Sequence, residues 1–306
     1  MPLPFVALLG PTASGKTEAG IALAEQRGAE IASVDSMLVY RGMDIGTAKP
    51  TTAQRVRVPH HLIDLADPDE RFTVARFQAI ARDVTSGLAE RRVPVLLVGG
   101  SGLYLRAVVD DLAIPPEDPA VREELEREAA VLGPERLYQR LQRTDPAAAL
   151  KIEPGNARRV VRALEVAAIT GRRFSSFGAA WDVYDPARLR AAGIRMEPTI
   201  LAARIAERVS AMFAAGWIEE VRGLVEHGWG SWLTSTQAIG YSELVGHLDG
   251  RLGLDEAWER TTARTRNLAR RQMAWFRRDP RIRWFDVGSG GAMDVVGDVQ
   301  AYLEGA

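Results

Sequence analysis

The octapeptide Gly10-Pro11-Thr12-Ala13-Ser14-Gly15-Lys16-Thr17 constrains this chain more than any other stretch. It satisfies the phosphate-loop pattern G-x-x-x-x-G-K-[ST] at every position. An apolar run at 5–9 precedes it and reads as a buried strand; an apolar, alanine-rich stretch at 19–24 follows and reads as a helix. That strand–loop–helix context is what gives the motif its meaning. The glycines let the backbone wrap tightly, so that successive N–H groups converge on an anion-sized hollow at a helix N-terminus. Lys16 adds a full positive charge, and the Thr17 hydroxyl can ligate a Mg²⁺ carried on phosphates. The loop therefore implies a di- or triphosphate-like ligand without saying which.

The first hundred residues alternate between helix-like and strand-like segments. Short apolar runs at 30–34 and 93–98 end in Asp35-Ser36 and Gly99-Gly100-Ser101-Gly102. Continuous apolar strands between helices indicate a parallel sheet covered on both faces. In such sheets ligands lie beyond the carboxyl ends of the strands. The phosphate loop, Asp35 and Ser101 all fall at strand ends and should share one rim. The expected fold class is α/β, a P-loop-type parallel sheet flanked by helices, with an inserted all-helical subdomain. The insertion is expected at 111–195, where charged helical patterns run over 121–132, 136–143 and 156–170. Asn156 suits an N-cap and Gly171 a C-terminal stop there. Residues 1–110 with 196–306 would form the catalytic core and C-terminal helices. The tail after Val287 carries no readable signal.

Composition narrows the cellular setting. With 306 residues the chain can bury a large core, and with no cysteine it has neither disulfides nor thiolate metal sites, which suits a cytoplasmic enzyme. No secretory signal precedes the loop, and no apolar stretch approaches the ~20 residues of a membrane span. No exposed apolar heptad argues for oligomers, so a monomer is expected. The net charge of −1 hides an uneven distribution. Arg158, Arg159 and Arg162 cluster on one predicted helix. The last long helix carries Arg260, Arg264, Arg266, Arg270, Arg271, Arg277 and Arg278, interleaved with Trp275 and Phe276. Arginines beside aromatics can neutralise phosphates and stack on unpaired bases, although most arginine runs are solvated helix faces.

Asp35 is the second chemical signal. A carboxylate at a strand end beside a phosphate loop can hold Mg²⁺, bind a hydroxyl, act as a general base, or simply cap the next segment. His60 and His61 read as loop or core residues. No acidic residue follows the 93–98 strand, and no Asn-Lys-x-Asp guanine-reading string occurs, so hydrolysis as the main activity has little support.

Taken in order, several strings resemble one family. They are the phosphate loop, Asp35-Ser36, Val39-Tyr40-Arg41-Gly42-Met43-Asp44-Ile45-Gly46-Thr47-Ala48-Lys49-Pro50, Pro59-His60-His61-Leu62 and Val98-Gly99-Gly100-Ser101-Gly102-Leu103-Tyr104. Arg162-Ala163-Leu164-Glu165-Val166, Ile239-Gly240-Tyr241 and Ala269-Arg270-Arg271-Gln272 complete the set. Together they are similar to the tRNA dimethylallyltransferases, also called tRNA isopentenyltransferases. The resemblance runs from about residue 5 to residue 278.

The resemblance implies transfer of a dimethylallyl group from dimethylallyl diphosphate to N6 of the adenosine 3′-adjacent to the tRNA anticodon (position 37), releasing diphosphate. Residues 10–17 would then hold a pyrophosphate leaving group instead of ATP, with Mg²⁺ on Thr17. Asp35 would accept the amine proton, and Lys16, Thr12, Ser101 and Arg208 would complete the catalytic set. The implied tRNA contacts are Asp35, Ser36, Met37, Leu38, Ser101, Arg122, Arg158, Arg159, Val160, Val161, Arg162, Gln237, Gly240, Tyr241, Arg270, Arg271 and Gln272, with the insertion gripping the anticodon stem-loop. Leu38 stands where many members carry glutamine, and Arg270 where they carry lysine. Two other readings stay open: a P-loop nucleotide or small-molecule kinase, and an RNA-binding switch gated by nucleotide. A long-chain prenyl synthase is disfavoured, since Asp110-Asp111 continues as Leu112-Ala113-Ile114 and not as Asp-Asp-x-x-Asp.

Overall fold

The computed structural model describes residues 4–230, 232 and 234–305, without the side chains of residues 179, 180 and 182. It divides into two compact units: one runs up to Asp110 and resumes at Asp185, the other is Asp111–Tyr184. The first unit is built on strands β1 (Phe5–Leu9), β2 (Glu30–Ser33), β3 (His60–His61), β4 (Val95–Gly99), β5 (Leu189–Met196) and β6 (Ile282–Val287). They form a single sheet in the order β3-β2-β4-β1-β5-β6, every pairing parallel. Helices α1 (Lys16–Arg27), α2 (Thr52–Arg57), α3 (Val74–Glu90) and α4 (Gly102–Val109) belong to its first half. The second unit holds α5 (Pro119–Leu132), α6 (Pro134–Thr144), α7 (Pro146–Ala149) and α8 (Ala157–Thr170). After it come α9 (Pro198–Ala214), α10 (Trp217–Glu226), α11 (Tyr241–Leu248), α12 (Leu254–Phe276) and α13 (Val296–Glu304). Among the described residues no helix is long and apolar enough to cross a membrane.

Strand alternation sorts the core into two layers. Ala7, Leu9, Ala32, Leu97 and Ala191 pack into one apolar cluster, while their neighbours Leu8, Ile31, Leu96, Val98 and Ala192 pack into another. Successive side chains of a strand point to opposite faces, so the clusters are the two faces of the sheet. The first is covered by α3, α4, α10 and α11 through Phe77, Tyr104, Trp217 and Tyr241, the second by α1, α9 and α13 through Ile21, Ile205 and Leu303. This is why the central strands are apolar throughout rather than alternating.

One boundary differs from the sequence expectation. Residues 189–195, assigned from sequence to the insertion, form β5 with Met196 beside β1. Its Ala191-Ala192-Gly193 centre is small, and Arg190 and Arg195 interrupt the apolar run, so it lacks the pattern of a buried strand. Beside it β6 is the edge strand, with Arg283 and Asp286 exposed and Asp286 paired to Arg195. Charged edges of this kind oppose pairing with another chain.

The two crossings into the insertion meet at Arg281. Its buried guanidinium donates to Asp110 Oδ1 at 2.6 Å, to Asp279 Oδ2 at 2.7 Å and to the carbonyl of Asp185 at 3.3 Å. The second unit has its own core of Leu125, Leu137, Leu141, Val160, Val161 and Leu164. As expected, the Asn156 side chain caps α8 at the Arg159 N–H, and Gly171 ends it in the left-handed conformation.

Candidate functional site

The phosphate loop leaves β1 and enters α1 through Gly15, whose φ of 84° is the left-handed conformation that glycine adopts at no steric cost. The Lys16 ammonium turns back and donates to the Pro11 carbonyl at 3.2 Å. Burial lowers the Lys16 pKa to about 8, with the negative charge of Asp35 opposing that shift and the positive charge of Arg208 adding to it. Arg208 is likewise lowered by burial and supported by Asp35. These mutual effects bring Lys16, Asp35 and Arg208, from the ends of β1 and β2 and from α9, within electrostatic reach of one another.

A cavity of about 370 Å³ opens at this point, lined by Ala13, Gly15, Lys16, Thr17, Arg204 and Arg208, with Glu18, Glu207 and Ala211 completing its wall. The Ser14 hydroxyl is fully buried and has no hydrogen-bond partner among the described residues, an orphan of the kind a ligand group satisfies. Asp35 Oδ1 accepts from the Met37 N–H at 3.0 Å, which orders the turn after β2; no helix starts there, so it is not a helix cap. The Val34 carbonyl accepts from the Ser101 N–H at 3.0 Å, which draws the turn after β4 to the same rim. Ser101 caps α4, its oxygen accepting from the Tyr104 N–H at 3.4 Å and its hydroxyl hydrogen left for another acceptor.

Sequence reasoning missed two supports of the loop. Arg204 donates from Nε to the Ala13 carbonyl at 2.9 Å and from a terminal nitrogen to the Ser289 carbonyl. The Ala292 N–H donates to the Ser14 carbonyl at 2.9 Å. The tail after Val287, unreadable from sequence, thus braces the outer side of the phosphate loop. With those carbonyls held outward, the amides of the same peptide planes face the opposite way.

The Asp44-Ile45-Gly46-Thr47-Ala48-Lys49-Pro50 string is structural. The buried Lys49 ammonium bonds the Tyr40 carbonyl at 2.6 Å and Asp64 Oδ1 at 2.7 Å. The Glu220 carboxylate accepts from the N–H groups of Asp44, Ile45 and Gly46 at 2.9, 2.7 and 3.2 Å, and from the Tyr241 hydroxyl at 2.7 Å. The Trp217 indole lies between Gly46 and Gly240, and a Cβ on either glycine would overlap it. We expect Gly46→Ala to destabilise the fold by about 1–3 kcal/mol, as overpacking of a buried site does. A urea midpoint equal to wild type would refute that packing argument.

The implied RNA contacts separate on inspection. Arg158, Arg159, Gln237, Arg270 and Arg271 are exposed, and Ser36, Met37 and Leu38 are half-buried. Val160 and Val161 instead fill the helical core, and Gly240 and Tyr241 are buried beside Trp217. Arg122 and Arg162 both turn onto the buried Glu165, at 2.6 and 2.9 Å. Gln272 faces inward, its Oε1 accepting from the Thr12 N–H at 2.9 Å. His60 and His61, expected as loop or core residues, instead form the half-buried strand β3, with His61 Nε2 on Glu30 Oε2 at 2.5 Å.

Fold and cavity together define a parallel α/β protein in which the Gly10–Thr17 loop meets Lys16, Arg204 and Arg208 at one cavity, with Asp35 in electrostatic reach of Lys16 and Arg208. Comparison with known proteins places it further. A family model described as IPP transferase matches residues 38–279, and one described as isopentenyl transferase matches residues 4–62. The tRNA dimethylallyltransferase of Desulforudis audaxviator is 45% identical, covering 98% of this chain and 99% of that protein. That of Kineococcus radiotolerans is 48% identical over 94% and 92%. Among solved structures, the tRNA isopentenylpyrophosphate transferase of Bacillus halodurans is 39% identical with a TM-score of 0.70, covering 99% of this chain and 98% of that one. The chain belongs to the IPP transferase family.

Proposed function

We propose that this chain is a tRNA dimethylallyltransferase, acting on N6 of the adenosine 3′-adjacent to the anticodon with dimethylallyl diphosphate as donor. The observation that carries the reading is that Lys16 and Arg208 line one cavity at the Gly10–Thr17 loop with the Asp35 carboxylate in electrostatic reach of both, in a chain of this family. The kinase reading has no comparable support.

In the transfer, the allylic C1–O bond breaks and its electron pair leaves on the diphosphate. The adenine N6 lone pair forms the new C1–N6 bond, and the proton released from N6 passes to Asp35. Lys16, Arg208 and the loop amides stabilise the charge growing on the leaving group, a stabilisation stronger in the transition state than in the ground state. In this reading the Thr12 and Ser101 hydroxyls hydrogen-bond the leaving group or the base. Mg²⁺ fits at Thr17, which lines the cavity. Among the described residues no group of three or more His, Asp or Glu side chains could hold a metal, so most of its ligands would be diphosphate and water oxygens, as Mg²⁺ prefers. When bound it neutralises diphosphate charge. The acceptor base has to leave the anticodon-loop stack to reach this rim. We assign the protein to the cytoplasm as a monomer.

Label transfer from dimethylallyl diphosphate to unmodified tRNA, with Mg²⁺ and without ATP, tests the reading. Incorporation at position 37 is expected; ATP consumption with small acceptors and no incorporation would overturn it. The exposed arginines of α12 are assigned to RNA phosphates. Arg271→Ala should therefore weaken tRNA binding and lower the slope of log affinity against log salt by about one, with diphosphate affinity unchanged. An unaltered salt slope would remove Arg271 from the interface.

A further inference from the structure

Gln272 follows two exposed arginines on α12 and precedes the exposed Ala274 and Trp275, yet it is only 8% exposed itself. Its side chain points away from any RNA on that face and into the junction between the phosphate loop and the turn after β4. Oε1 accepts from the Thr12 N–H at 2.9 Å. The amide nitrogen lies so close over Gly100 that a Cβ there would overlap it, which leaves the carboxamide little room to turn.

The bond matters because of the peptide that carries it. Pro11 has no N–H, so the Thr12 N–H is the first donor of the loop after Gly10. It shares one planar trans peptide with the Pro11 carbonyl, and the two groups point in opposite directions. The Pro11 carbonyl is the acceptor for the Lys16 ammonium, at 3.2 Å. One rigid plane is therefore held at both edges, by Gln272 on one side and by Lys16 on the other. Rotation of that plane would move the carbonyl that anchors the ammonium and swing the Thr12 N–H into the anion hollow.

We propose that Gln272 is a positioning residue for the transfer reaction: it fixes the Pro11–Thr12 peptide, and through it the Lys16 ammonium that meets the diphosphate. This rests on the transfer reading above and replaces the RNA contact that family resemblance implies for Gln272. The residue acts through the loop and touches neither the RNA nor the reacting atoms. It also makes α12 the element whose outer face carries the exposed arginines and whose inner face sets the phosphate loop.

The test uses the full chain with Gln272→Met, which keeps the side-chain length but removes the acceptor, and the milder Gln272→Asn. Three quantities are measured beside wild type: affinity for inorganic pyrophosphate, affinity for tRNA, and steady-state transfer. An unpaired buried donor weakens what depends on it by about tenfold or more. Gln272→Met should therefore lose at least about tenfold in pyrophosphate affinity and in kcat/KM for the diphosphate donor, with tRNA affinity within about twofold of wild type. Gln272→Asn should fall between. Weaker tRNA binding with pyrophosphate affinity intact would overturn the proposal in favour of an RNA contact. A lower denaturation midpoint with both affinities at wild-type values would overturn it in favour of simple packing. Pyrophosphate binding reads the proposal directly, so failure of the wild-type protein to prenylate tRNA would count against the transfer reading and not against this assignment.

Discussion

Asp35→Asn is expected to abolish most of the transfer activity while leaving the tRNA complex nearly as tight as before. Asparagine keeps an oxygen at the position where Asp35 accepts from the Met37 N–H, so the turn after β2 should persist. What disappears is the negative charge and the capacity to take the N6 proton. Removing a positioned general base costs about 10²- to 10⁴-fold in rate, and the loss should fall on kcat. A second effect follows from the same charge. Asp35 is the group that opposes the depression of the Lys16 pKa, so in Asp35→Asn the ammonium should lose its proton at lower pH than in wild type. The experiment is single-turnover transfer with tRNA affinity measured in parallel. Turnover within about threefold of wild type, far short of the range for a lost base, would remove Asp35 from that role.

Lys16 carries the second large effect. Lys16→Met should reduce kcat/KM for dimethylallyl diphosphate by about 10²- to 10³-fold, the scale of losing one preorganised charge at a leaving group. The pKa gives a sharper signature. Burial brings Lys16 down to about 8, so the free protein carries mostly the ammonium at neutral pH and loses it as pH rises through about 8. Since kcat/KM reports groups in the free enzyme, it should fall above that point by about tenfold for each pH unit. Bound diphosphate favours the charged form and raises the pKa, so kcat should stay flat over the same range. Lys16→Arg, which remains charged, should lack the descending limb even if its rate is lower. A limb that survives in Lys16→Arg would belong to some other group.

How much of this was legible in the sequence depended on distance along the chain. The phosphate loop, β2 with Asp35, and β4 with Ser101 are local strings in which apolar runs end in residues that carry chemistry, and the structure gathers them as expected. The strand β5 was missed because its centre is alanine and glycine flanked by arginines. A pattern search expects bulky apolar residues in a central strand, but neighbouring elements fill the space here. Edge strand β6 alternates with charges and resembles a loop in isolation. The loop's braces were unreadable for another reason. Arg204 lies 191 residues from its Ala13 partner, and Gln272 lies 260 from Thr12. No spacing rule links groups so far apart. Conversely, Val160, Val161 and Tyr241 entered the RNA set only by family resemblance. The helical period of α8, which puts Val160 and Leu164 on one face, already marks Val160 as core.

The clamp at Arg281 bears on how this chain can vary. The two points where the polypeptide leaves and re-enters the sheet-bearing unit are bonded to the same guanidinium, so the whole of Asp111–Tyr184 is, to that unit, a loop with closed ends. A segment joined in this way can lengthen, shorten or be exchanged with little effect on the unit that carries it, since chain ends that lie together tolerate insertion. The inserted segment and the sheet-bearing unit can therefore diverge at separate rates within one gene product, while Arg281, Asp279 and Asp110 hold the two chain crossings together.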